Sequence, residues 1–205
     1  ACGKLTDADF AVLGQVYQLK SLELGQTAAG DEAAQGLSQL NHLRHLRIGS
    51  AQLTDAGVRK LCEVVSLHTL TIAPEADRIT DAAFSDLWRL TNLRSFGMAA
   101  PKVTGSGFTS LRELPNLDWM NLEGTGITDA ALTNAAASAS LERLTVGGWE
   151  RNGPPGVTDA GVVQLADARN LKQFTLFRRG SQVTEAGLDE IRQRRPQASV
   201  KVHKP

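Results

Sequence analysis

Cysteine is scarce in this chain: its 205 residues hold two, Cys2 and Cys62. They lie too far apart for a short disulfide loop, and neither has the close cysteine neighbour that a zinc spacing needs. Net charge is also missing. Lys and Arg number 22 against 22 Asp and Glu, so no overall field recruits nucleic acid or an anionic membrane. No apolar run approaches the ~20 residues that span a bilayer, and no N-x-[ST] acceptor occurs. Gly25 and Gly30 have the four-residue gap of a phosphate loop, yet Asp31 follows where Lys and then Ser or Thr are required. Gly105-Ser106-Gly107 lacks the G-x-S-x-G frame of a nucleophile elbow.

What the chain has in quantity is self-similarity. Leu43 to Leu61 reads L-x-x-L-x-I, a short turn, then Leu-Thr-Asp-Ala-Gly-Val-x-x-Leu. Alignment on Thr54 returns the unit at Thr6, Thr80, Thr104, Thr128, Thr158 and Thr184, with Gly30 standing in once. The successive spacings are 24, 24, 26, 24, 24, 30 and 26 residues. A fixed period in the twenties is the signature of a solenoid. It runs from Leu5 to Val202 without a linker, so residues 1–205 are expected to form a single repeat domain.

Each unit has three parts. Apolar residues alternate first, as in Leu43/Leu46/Ile48, Leu117/Met120/Leu122 and Leu171/Phe174/Leu176, which predicts a strand with one face buried and one in water. Only parallel stacking lets such strands recur once per repeat, and eight of them at ~4.8 Å make a sheet on the order of 34 Å long. A turn ending in an apolar residue follows, such as Leu53, Ile79 or Val103. Then comes Thr as a helix N-cap, with Asp behind it suited to the positive end of the helix dipole. Three positions after the Thr stand Gly57, Ala83, Gly107, Ala131, Gly161 and Gly187, which implies a neighbouring backbone too close for a side chain. Bulkier apolar residues complete a helix stripe facing the strand. One unit cannot bury that stripe alone; stacking supplies the core.

These repeats resemble leucine-rich repeats. The L-T-D-A-G-V form is similar to a bacterial subclass and to the cysteine-containing repeats found beside F-box domains. The resemblance covers almost the whole chain. It implies an α/β right-handed superhelix of about eight repeats, a curved solenoid with a parallel β-sheet on the concave face and short helices on the convex face. The cysteines that name the F-box-linked type are absent, as is an F-box segment, so a ubiquitin-ligase role is not expected.

Several features break the pattern. Gly30-Asp31-Glu32 replaces Thr-Asp-Ala. The helix expected over Asp129 to Ser140 is rich in Ala and has Ala135 where Leu is usual. It should pack less firmly, since each missing buried methylene forfeits ~0.8 kcal/mol. The 30-residue repeat carries its surplus in an inserted loop, 147–156, with Trp149 at the C-terminal edge of a strand. Pro196 stops the last helix, and a capping strand over 197–203 follows, built on Val200 and Val202. Lys201, His203, Lys204 and Pro205 would blunt its edge. Charge is uneven, at −3 over residues 1–34 and +5 over 171–205, and reads as solvated faces. The chain opens Ala-Cys-Gly. A trimmed chain explains that start, and so does a mature lipoprotein with Cys2 lipidated. The second reading would place the protein outside the cytoplasm or at the envelope, and localisation stays open.

His42, His45 and His68 fall near one another on adjacent strands, but in different columns. No carboxylate recurs beside them to complete a ligand set or orient a base. Neither catalysis, nor a metal, nor a cofactor is expected. The positions free for function are the outward residues of the strands. Most are small or polar, so Trp119 and Phe177 stand out. Trp119 beside Asn121, Glu123 and Arg143 has the composition of an interface hot spot, with Trp149 overhanging from the loop. His45 and Arg47 form a second polar patch. The competing reading is that Trp119 and Phe177 cover each other or the loop and bind nothing. Cys62 falls inside a repeat helix and is expected to be a plain packed or half-exposed thiol, and Trp88 is expected on the convex side.

The expected function is a non-catalytic scaffold, monomeric, binding a protein or peptide through the concave sheet and its C-terminal edge loops. Trp119 would be the anchor and Arg143 a bidentate donor to an acidic group. Two alternatives are the targeting module of a larger enzyme or signalling protein and a self-associating envelope component.

Overall fold

A computed structural model describes residues 15–25, 27–72, 77–147, 156–178 and 181–203. Eight short strands run through them: β1 (Ser21–Leu24), β2 (His45–Ile48), β3 (Thr69–Ile72), β4 (Ser95–Met98), β5 (Trp119–Glu123), β6 (Arg143–Gly147), β7 (Gln173–Phe177) and β8 (Ser199–His203). They form one open parallel sheet in sequence order. The register never slips. Leu22, Leu46, Leu70, Phe96, Met120, Leu144, Phe174 and Val200 stand in a single row. A one-residue slip would turn every one of them into water, which is why the alternation fixes the pairing so firmly.

The helices are α1 (Asp31–Leu37), α2 (Asp55–Leu61), α3 (Asp129–Ala136), α4 (Asp159–Gln164) and α5 (Glu185–Arg194). They pack on the inner face of the sheet around one apolar cluster that runs from Leu24 to Ile191. The expectation of a helix in every repeat needs correction at two places. The repeat of Thr80 has 3₁₀ turns at Asp81–Phe84 and Leu87–Arg89, and that of Thr104 has one at Leu111–Glu113. Gly105 stands where the second helix would begin and holds φ at +87°, outside the helical region. Beneath both repeats Phe84, Phe96 and Phe108 pack edge to face, with ring centroids 5.0 to 6.1 Å apart. The Ala-rich helix also ends early, at Ala136. Beyond it Ser140 donates its hydroxyl to the Leu114 and Leu117 carbonyls of the preceding repeat, at 2.8 and 2.9 Å.

The Asp behind each Thr does more than meet a helix dipole. Thr54 donates its backbone N–H to Asp31 Oδ1 at 2.9 Å and its hydroxyl to Oδ2 at 2.6 Å. The same pair of bonds ties Thr80 to Asp55, Thr158 to Asp129 and Thr184 to Asp159, and Thr104 gives both its N–H and its hydroxyl to Oδ2 of Asp81. Each carboxylate thus reaches forward and staples its repeat to the next. The small residues serve this ladder: a Cβ on Gly57, Gly161 or Gly187 would collide with the Asp31, Asp129 or Asp159 carboxylate. The expected crowding by backbone holds at Gly107, which faces the Asp81 carbonyl, while at those three positions the neighbour is a side chain. Among the described residues the ladder misses one rung. Gly105 occupies the Asp position, and Thr128 turns instead to the Thr104 carbonyl, at 3.0 Å from its N–H and 3.3 Å from its hydroxyl.

Thr54, Thr80 and Thr158 also accept the N–H two residues on, the expected N-cap bond. Thr128 and Thr184 keep the extended cap backbone without it.

Candidate interaction surface

Strand alternation leaves one sheet face clear of the helices. Its first row is Ser21, His45, Thr69, Ser95, Trp119, Arg143, Gln173 and Ser199; its second is Glu23, Arg47, Thr71, Gly97, Asn121, Thr145, Thr175 and Lys201. A third, at the strand ends, holds Glu123, Gly147, Phe177 and His203. Every row follows the arrangement that the sequence predicts.

Side chains then sort this surface into two separate places. Trp119 opens β5, and the Arg143 guanidinium lies over its ring, 5.7 Å from the centroid. Arg143 Nη2 also donates to Asp118 Oδ1 at 2.7 Å. One of its nitrogens is therefore already engaged within the chain, which fixes the fork against the indole. Asp118 was not among the expected residues. It precedes the strand, where simple alternation no longer says which way a side chain turns. Asn121 accepts the Glu123 N–H on its Oδ1 at 3.0 Å, leaving its amide N–H groups for an outside acceptor.

Phe177 closes β7, at the other end of the strands and two strands away. It stacks on His203, with centroids 4.6 Å apart and planes 14° from parallel. Trp119 and Phe177 therefore do not cover each other, and they do not form one patch either. Trp149 lies outside the described residues, as does Cys2.

The polar patch on β2 is exposed. His45 Nδ1 sits 3.2 Å from the Thr69 hydroxyl, and its ring lies 6.4 Å from that of His68. His68 Nδ1 donates to the Ser66 carbonyl at 2.8 Å. Among the described residues no cluster of His, Cys, Asp or Glu is placed to hold a metal ion. Nor is any of their helices long and apolar enough to cross a membrane. Cys62 is fully buried, and that burial pushes its thiol up to about 12, so it stays protonated and unreactive. Burial also works to raise the Asp81 carboxyl. The Thr104 hydroxyl and the N–H groups of Gly107, Thr104 and Gly105 outweigh it and hold Asp81 below its ordinary value. Trp88 lies on the helical side as expected, leaving 45% of its surface in water.

Among known proteins, no family model matches the chain. It is similar to the mouse (Mus musculus) protein "NACHT, LRR and PYD domains-containing protein 4C", with 28% identity across 82% of this chain and 18% of that protein. The fold is similar to the crystal structure of an internalin (inlF) from Listeria monocytogenes, at a TM-score of 0.56 and 19% identity, over 98% of this chain and 57% of that one. The chain thus spans about a fifth of the length of the mouse protein and little more than half of the internalin chain. A period in the twenties, one parallel strand per repeat and these two likenesses converge: the chain has the leucine-rich-repeat fold.

Proposed function

We propose that this chain is a non-catalytic scaffold that binds a protein or peptide on the open face of its sheet, with Trp119 and Arg143 as the anchor. One observation carries the reading. Arg143 is held between the Trp119 ring and the Asp118 carboxylate on a face the core does not use. Trp and Arg dominate interface hot spots. A guanidinium already fixed by two partners loses little further freedom on binding. Asn121 and Glu123 lie beyond it along the same strand, and Phe177 on His203 offers a second flat contact at the far edge. Trp149 belongs to the proposed binding set on its sequence position alone. The likeness to proteins that are longer favours a variant of it: the chain is the recognition module of a larger protein, whose other parts supply its activity.

Photo-crosslinking tests the assignment of the face. A benzoylphenylalanine placed at Asn121 is expected to capture the partner covalently, and one at Arg112 on the helical side is not. Capture from Arg112 alone would overturn the reading.

A further inference from the structure

The margin at which the strands begin divides by charge. Lys20, Arg44, His68 and Arg94 immediately precede β1 to β4. Backbone bonds from Arg44 to the Lys20 carbonyl (2.8 Å), from His68 to Arg44 (2.7 Å) and from Arg94 to His68 (2.8 Å) set them side by side. The next two residues in that row are Asp118 and Glu142, and each already holds a cation: Arg143 at 2.7 Å and Lys172 at 2.6 Å. The basic half has no such compensation. Lys20, Arg44 and Arg94 are exposed, as is Arg47 on β2, and none of the four enters an ion pair among the described residues. Glu23 is the one carboxylate among the outward residues of β1 to β4, and it is unpaired as well. Like charges on neighbouring strands oppose pairing, so the fold gains nothing from this row. The surplus is local, because the chain as a whole is formally neutral.

We propose that this row binds an acidic peptide segment of the partner, laid across the first four strands. The dimensions agree. Four positions on strands ~4.8 Å apart make a row about 14 Å long, and three carboxylates spaced two residues apart on an extended peptide span about 13 Å. Arg44 and Arg94 take carboxylates through their planar forks, and the Thr69 and Ser95 hydroxyls lie on the neighbouring outward row. The inference rests on the open face being the binding surface. It adds the chemistry of what binds there.

The test uses a fluorescein-labelled decapeptide of alternating Glu and Ser, followed by anisotropy at low ionic strength. Arg44→Glu/Arg94→Glu is expected to weaken binding about tenfold or more. Lys60→Glu/Arg112→Glu, which makes the same charge change on the helical side, should stay within about twofold of the wild type. The proposal is overturned if the wild type does not bind the peptide or if both charge reversals weaken it equally. Tighter binding of an oligothymidylate of matched charge would overturn it too. Such a failure alongside intact crosslinking from Asn121 would sink the basic row and leave the scaffold reading standing.

Discussion

At the scale of the residue, the central feature is a carboxylate that belongs to one repeat and serves the next. Asp129 accepts both the N–H and the hydroxyl of Thr158, and the space it occupies is the space a Cβ on Gly161 would need. Gly161→Ala is therefore expected to destabilise the protein by about 1–3 kcal/mol in urea unfolding. The cost should shrink in an Asp129→Ala background, because the two changes act on one volume. Simple additivity of the two would contradict the ladder. The need for a small residue at Gly57, Gly161 and Gly187 is legible in the sequence. Its reason is not, because the carboxylate that fills the space comes from the preceding repeat, and periodicity says which residues recur without saying which of them touch. Asp81 shows how strongly such a carboxylate is held, with four donors overcoming its burial.

At the scale of the element, strands and helices differ in how well residue patterns foretell them. The strands keep period two in their pairing, although Gly97 and Thr175 on the outward row are buried, and their register places Trp119 beside Arg143 as the sequence implies. The helices do not all form. Phe84 and Phe108 occupy the same positions as Val58 and Leu132, yet the backbone above them closes into 3₁₀ turns. At Thr104 the cause is local. Gly105 takes a positive φ, and a Cβ there would strike Ala131. Replacing Gly105 with Asp would restore the repeat consensus on paper and supply the missing rung. The expected result is the reverse, a loss of about 1–3 kcal/mol from strain and collision. A variant more stable than the wild type in urea would show that the consensus outweighs the backbone. The site residue missed by alternation, Asp118, sits at a strand margin, where the pleat no longer dictates direction.

At the scale of the whole molecule, stacking confines each repeat's contacts to its neighbours, so the open face is a long surface whose parts can differ in character. Here a basic row runs along the first four strands. An aromatic–guanidinium anchor stands at β5 and β6, and a stacked Phe177–His203 pair lies at the far edge. The overall neutrality of the chain hides that division, because composition averages over faces that only the register separates. The most direct test of the account is affinity capture from a lysate of the source organism, with the wild type and Trp119→Ala/Arg143→Glu as parallel baits. Both substitutions lie outside the core, so both baits should unfold at similar urea concentrations. The account predicts a partner retained by the wild type and lost from the variant. The same partner on both baits, in equal amount, would place the binding surface elsewhere on the molecule and contradict it.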